Sequence, residues 1–136
     1  MKTVTNVNDL YLVYVLQCNN KNYVGMTHNF FRRWRQHNGD IKGGAKYTTR
    51  HRDGLWTPIL IIDGFKTMRE AMQCEWKLKR KHGITKRIQW ANELLTSHTH
   101  WTSKSPPISS QQLTVYVDTN YSHLLTIETR ELYWKH

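Results

Sequence analysis

The longest apolar stretch in the chain runs from Leu10 to Leu16 (Leu-Tyr-Leu-Val-Tyr-Val-Leu), β-branched and aromatic with no polar break, the composition of a buried strand. Asn19-Asn20-Lys21-Asn22 follows, and asparagine tolerates the left-handed backbone of tight turns. Tyr23 to Thr27 then reads as a second strand, so the two form a hairpin. Residues 30–37 suit a short helix with Asn29 as N-cap, Phe30 and Trp34 at i, i+4, and Arg33 and His37 on a neighbouring face. Asn38-Gly39 stops it, and residues 39–54, with four glycines, read as a long loop of the kind that is often functional.

Thr57 to Asp63 is a third strand, with Pro58 at its start where no ladder donor is needed. Lys66 to His82 reads as a helix opened by a capping box, Thr67 with Glu70, and closed by Gly83. Met68, Ala71, Met72, Glu75, Trp76 and Lys79 recur in it at helical spacing, which predicts Glu75 on an otherwise apolar face. Lys86 to Leu95 is a further short helix, residues 97–112 a polar linker around Pro106-Pro107, and Leu113–Val117 and Ser122–Ile127 further strands. The expected class is α/β: a small three-stranded antiparallel sheet flanked by helices, with a C-terminal extension.

Composition adds partners to this outline. The 136 residues suffice for one core, and no apolar run approaches the roughly 20 residues of a membrane span. No secretory signal pattern opens the chain, and Cys18 and Cys74 lack the spacing of a disulfide scaffold or zinc finger, so an intracellular, reducing home is expected, in nucleus or cytoplasm. Net charge is +10, and it is uneven: residues 1–90 hold 17 basic and 6 acidic side chains, residues 91–136 hold 3 and 4. A polyanion meeting the first two-thirds is implied, nucleic acid before an anionic membrane, because the charges are interleaved with aromatics and glycines rather than opposing an apolar stripe.

The chemistry-bearing residues are individually bland. A strand tyrosine such as Tyr14 or Tyr23 is usually packing, a histidine four residues after an arginine is a weak signal, and one helix-borne Glu is usually solvated. His98-x-His100 has no third ligand and carries little weight. Between residues 32 and 53, however, seven basic side chains face two acidic ones: Arg32, Arg33, Arg35, Lys42, Lys46, Arg50 and Arg52 against Asp40 and Asp53. That bias argues for a phosphate track, with Gly39, Gly43 and Gly44 letting backbone amides approach it. Lys77, Lys79, Arg80, Lys81, Lys86 and Arg87 form a second basic block, expected to meet a second duplex arm.

Order and spacing unite these signals. Leu12-Val13-Tyr14, Tyr23-Val24-Gly25, Arg33-x-x-x-His37 and Glu75-Trp76 together resemble the GIY-YIG nuclease superfamily, with the first signature degenerate. Arg-Gln-His-Asn-Gly at 35–39, Lys-Gly-Gly-Ala at 42–45 and Gly64-Phe65 make the chain similar to the Slx-type catalytic subunits of structure-specific endonucleases. The resemblance covers residues 9–82 strongly and Ile88 to Val117 weakly, giving a nuclease domain at 9–83 and a helical and extended appendage at 84–136. No cysteine follows Cys74, so the zinc-binding RING-like module of the Slx-type subunits is expected to be absent and their scaffold partnership is placed in doubt. Economy of length would suit a compact, virus-like genome.

The resemblance implies a Mg²⁺-dependent endonuclease, with Mn²⁺ as substitute, cutting branched or flapped duplex DNA, Holliday junctions included, in repair, recombination or replication. It would leave 5′-phosphate and 3′-hydroxyl ends. By the same resemblance Glu75 is the sole protein ligand of the metal and Arg33 holds the scissile phosphate. Tyr14 is the candidate general base, Tyr23 orients water or phosphate, and His37 bonds a tyrosine hydroxyl or helps accept the proton. Which tyrosine deprotonates water stays open at the level of sequence. The competing readings are a less selective nicking or site-specific enzyme, which would need a reading module, and a non-catalytic DNA binder, which would have lost one of the five residues. Residues 97–136 could bind DNA, mediate homodimerisation or cover the sheet; the net charge of −1 after Trp90 favours protein contact.

Overall fold

The structure, a computed structural model, describes residues 10–132; the outermost ends of the predicted domain and appendage, residue 9 and residues 133–136, lie outside the described residues. Strands β1 (Tyr11–Cys18), β2 (Lys21–Thr27), β3 (Thr57–Phe65), β4 (Thr114–Val117) and β5 (Arg130–Glu131) form one sheet in the order β2-β1-β3-β4-β5. Pairing is antiparallel except between β4 and β5. Helices α1 (Phe30–His37), α2 (Lys46–Arg50), α3 (Met68–Leu78) and α4 (Ile84–Ser97) complete the fold.

The α/β class and the three antiparallel strands of the expectation are present, and the sheet continues past them. β4 pairs with β3, Val117 opposite Leu60 and Val115 opposite Ile62, covering an edge that would otherwise leave an apolar run without a neighbour. The extension up to Leu132 therefore covers the sheet. Ser122–Ile127 is not a strand: Ser122–Leu124 is a single 3-10 turn, and Leu125 is buried in the core without a ladder. The long loop holds α2, a helix too short to leave a periodic signature.

β1 is central, which explains its unbroken apolarity. Val13 and Val15 join Ile62, Ala71, Cys74, Leu78, Ile88, Ala91 and Trp101 in a large apolar core under α3 and α4. Leu12, Tyr14, Leu16 and Cys18 join Phe30, Trp34, Trp56 and Ile61 in a smaller core under α1. Alternate residues of one strand thus feed two different environments. Asn19 turns the hairpin with a left-handed backbone, φ 54°.

The face assignment of α3 departs from the sequence pattern. Thr67 caps the helix through the Glu70 amide as expected, but the buried stripe is Ala71, Cys74 and Leu78. Met68, Met72 and Trp76 are exposed, Trp76 by 52 %. Four-residue steps of apolar side chains drift around a helix of 3.6 residues per turn, and the mixed spacing merged an inner and an outer stripe.

Candidate active site

Tyr14 and Tyr23 project from neighbouring strands onto the α1 face of the sheet, and the register explains how. Tyr14 lies opposite Gly25 and Leu16 opposite Tyr23, so the two phenols are diagonal neighbours with ring centroids 6.3 Å apart. A Cβ on Gly25 would fall 2.3 Å from the Tyr14 hydroxyl. Glycine is required there because the Tyr14 ring occupies the space a side chain would take.

α1 delivers His37 and Arg33 to the same place. Asn29 caps the helix by accepting from the Arg32 amide, 3.1 Å, while Phe30 and Trp34 anchor it to the sheet. Its far end is clamped through Trp56: the Asn38 amide group bonds both the Trp56 N–H (2.7 Å) and its carbonyl (3.1 Å). The Trp56 indole donates in turn to the Thr48 carbonyl, 2.9 Å, fixing α2 beside α1.

A chain of hydrogen bonds results. The Tyr14 hydroxyl and His37 Nε2 are 2.7 Å apart, His37 Nδ1 and the Thr48 hydroxyl 2.7 Å, and Thr48 donates to the Ala45 carbonyl, 3.0 Å. A carbonyl only accepts, so the single Thr48 proton is spent on it and the Thr48 oxygen accepts from His37 Nδ1–H. His37 Nε2 then carries a lone pair, and Tyr14 donates its phenolic proton to it. His37 is wholly buried, 0 % exposed, and burial together with the nearby Arg33 charge holds its pKa down to about 4, so it is neutral at pH 7.

Both phenols hold their protons. Burial, then the neighbouring Tyr23, raises the Tyr14 pKa far above the ordinary tyrosine value, with Arg33 opposing. Burial raises Tyr23 as well, again with Arg33 opposing and Glu75 adding to the rise. Arg33 is pinned by Nη1, which donates to the Gly43 carbonyl (2.7 Å) and Gln36 Oε1 (3.0 Å). The loop glycines thus answer first to contacts within the protein rather than to an open anion cradle: a Cβ on Gly44 would meet the Gln36 carbonyl at 2.6 Å.

Glu75 reaches the site from α3, half-buried, its field acting on both tyrosines. Burial raises its carboxyl pKa and Lys79, 3.8 Å away, partly offsets this. A desolvated carboxylate with one distant lysine is short of positive charge. Among the described residues no cluster of three His, Cys, Asp or Glu side chains exists. One oxygen donor of this kind does not suit zinc and does fit a hard divalent ion that keeps most of its waters.

The structure therefore brings Tyr14, Tyr23, Arg33, His37 and Glu75 together. Arg32 and Arg35 stand on the exposed face of α1, Lys42, Lys46, Arg50 and Arg52 along the following segment, and Lys79 and Arg80 at the end of α3, all eight exposed. The second basic block is not uniform. Arg87 is buried, 7 % exposed, and Lys77 and Lys81 lie against the Trp90 ring at 6.0 and 5.0 Å. Two residues escaped the sequence reading, Thr48 and Tyr47. Tyr47 stacks on Tyr23 with centroids 6.1 Å apart. Only their place directly after Lys-Gly-Gly-Ala could have flagged them.

The family model for the GIY-YIG catalytic domain matches residues 10–89. A protein of Chaetomium globosum named structure-specific endonuclease subunit SLX1 is 37 % identical over 91 residues, 65 % of this chain and 28 % of the relative. One of the same name from Phaeosphaeria nodorum is 34 % identical over 131 residues, 88 % of this chain and 35 % of the relative. Another from Yarrowia lipolytica is 47 % identical over 73 residues, 51 % and 25 % of the two chains. The chain spans about a third or less of the length of these relatives. With the tyrosine pair, the Arg33–His37 helix and Glu75 gathered on one fold, the chain belongs to the GIY-YIG catalytic domain family.

Proposed function

We propose that the chain is a DNA endonuclease that hydrolyses phosphodiester bonds in branched or flapped duplexes, in the service of repair, recombination or replication. The observation that carries this reading is the convergence of five polar side chains: on the α1 face a tyrosine hydrogen-bonded to a neutral, proton-accepting histidine, a second tyrosine and an arginine, and from α3 a charge-deficient carboxylate whose field reaches both tyrosines. Residues 9–83 carry the chemistry, and the later residues up to Leu132 complete the sheet.

In this reading Arg33 binds the scissile phosphate and stabilises the charge that grows on its oxygens, with a forked donor set that its bonds to Gly43 and Gln36 hold in place. Tyr14 takes a proton from the attacking water while passing its own to His37 Nε2. The high Tyr14 pKa is then no obstacle, because a free phenolate never accumulates; the arriving phosphate charge strengthens His37 as the acceptor. Tyr23 orients the water or the phosphate. Glu75 would hold the divalent ion, Mg²⁺ or Mn²⁺ in its place, which when bound would supply Lewis-acid stabilisation of phosphate and leaving oxygen.

Branch selectivity rests on the resemblance to relatives named as structure-specific subunits, and on a site flanked by exposed cations suited to phosphates. The test is cleavage of end-labelled flap, fork, four-way junction, linear duplex and single strand in Mg²⁺, with Glu75→Gln alongside, in the presence and absence of candidate scaffold proteins. Metal-dependent cuts near the branch, abolished by Glu75→Gln while binding persists, are expected. Equal cutting of linear duplex would make the chain a general nickase, and tight binding without cleavage under any condition would make it a binder.

A further inference from the structure

Arg87 is the described cation whose surroundings the catalytic reading does not use. It is 7 % exposed, yet among the described residues it forms no ion pair, whereas buried arginines ordinarily meet a carboxylate. Two of its nitrogens are satisfied by neutral acceptors: Nη1 donates to Asn22 Oδ1, and Nε donates to the Lys81 carbonyl at 3.0 Å. Nη2 has no hydrogen-bond acceptor among the described residues. Arg87 lines a cavity of about 540 Å³ with Lys21, Lys79, His82, Tyr23 and Tyr47, and no Asp or Glu is among the lining residues.

A cavity with a buried guanidinium, two lysines and no acid has a missing counter-charge. Its position tells what that charge is. Tyr23 is shared with the candidate active site, and Lys79 is the ion-pair partner of Glu75. We propose that this cavity is a second phosphate subsite, in which Arg87, with Lys21 and Lys79 at its sides, binds a phosphate group of the nucleic-acid strand next to the one being cut. The inference deepens the proposed function and rests on it for the identity of the strand. Arginine suits this place because its planar fork can donate two hydrogen bonds to the protein and still present a nitrogen to an anion. The phosphate has two sources, an internal phosphodiester or a terminal phosphate such as cleavage leaves.

The experiment measures binding of labelled oligonucleotides to the full chain in EDTA, so that no cleavage is needed. Strands with a 5′-hydroxyl and a 5′-phosphate are titrated across a salt series against wild type, Lys21→Ala, the Lys21→Ala/His82→Ala pair and Arg87→Gln. Lys21 and His82 are exposed and their removal spares the fold. Expected are about a tenfold loss of affinity at low salt and a salt slope shallower by about one ion. Millimolar inorganic phosphate should raise the melting temperature of wild type and not that of Arg87→Gln. Equal losses on both strands assign an internal phosphodiester; a loss confined to the phosphorylated strand assigns the terminal group. Unchanged affinity and slope in the surface variants, and in Arg87→Gln if it melts like wild type, overturn the subsite. If Arg87→Gln does not fold, the surface pair decides alone. A chain that cuts branched DNA yet shows no change in these variants leaves the proposed function standing and removes the subsite. Variant-sensitive phosphate binding in a chain that cuts nothing does the reverse.

Discussion

The two faces of the sheet share β1 and differ in almost everything else. Under α3 and α4 the core is made of Val13, Val15, Ile62, Leu78, Ile88, Leu94 and Trp101. Under α1 the same strand meets His37, Asn38 and Thr48, all buried and polar, each with a hydrogen-bond partner. The first face can be rebuilt from other apolar residues of similar volume; the second cannot, because each donor there fixes the proton position of the next. The larger apolar core lies on one side of β1 and the candidate site, apart from Glu75 of α3, on the other.

Substitutions can break that division in order of size. Leu94→Ala, deep in the apolar face, should cost about 2–5 kcal/mol of stability by cavity formation, with the cleavage rate per folded molecule unchanged. Denaturant melts paired with cleavage assays check both halves, and a rate that falls with stability would show the faces to be coupled.

Acid is the next largest lever, and it acts on the other face. His37 titrates near its ordinary 6.5 when unfolded and at about 4 when folded. Between these values only the unfolded chain binds the proton, so this contribution is fully present above about pH 6.5 and is lost as pH falls toward 4. The loss amounts to about 3 kcal/mol. Melts across this range should show the decline in wild type and a flatter profile in His37→Gln; parallel profiles would remove His37 as its source.

Gly25→Ala sharpens the contrast further. The added methyl would overlap the Tyr14 hydroxyl, so about 1–3 kcal/mol of overpacking is expected, together with cleavage loss larger than the stability change explains. Gly25→Ala/Tyr14→Phe should restore neither stability nor cleavage, because the added Cβ still meets the ring carbon Cζ at 2.5 Å and the hydroxyl is gone; restored cleavage would contradict the account.

Much of this was legible in the chain. The hairpin, α1 with its Asn29 cap, the Thr67 cap and the strand at Thr57 all follow from local chemistry, and motif order picked out the five residues that the structure gathers. What local chemistry does not carry is partnership across distance. Thr48 matters because Trp56 holds α2 against α1, and nothing near Thr48 announces that. Arg87 reads as one more surface cation in a basic run until the fold buries it beside Asn22. β4 joins the sheet because β3 has an uncovered apolar edge, a need located some 50 positions earlier in the chain. On α3 the failure was one of phase, with Met68, Met72 and Trp76 outside and Cys74 inside.

The most direct test of the central claim is single-turnover cleavage of a forked duplex in Mg²⁺ by wild type and Tyr14→Phe, with DNA affinity and melting temperature measured in parallel. Removing one buried oxygen takes away the hydroxyl bonded to His37, the proposed proton relay, and leaves the ring packing. Cleavage should fall by about 10²-fold or more, the range of general-base contributions, with affinity unchanged. Cleavage within a few-fold of wild type would contradict the assignment of Tyr14 and move the proton acceptor elsewhere in the site.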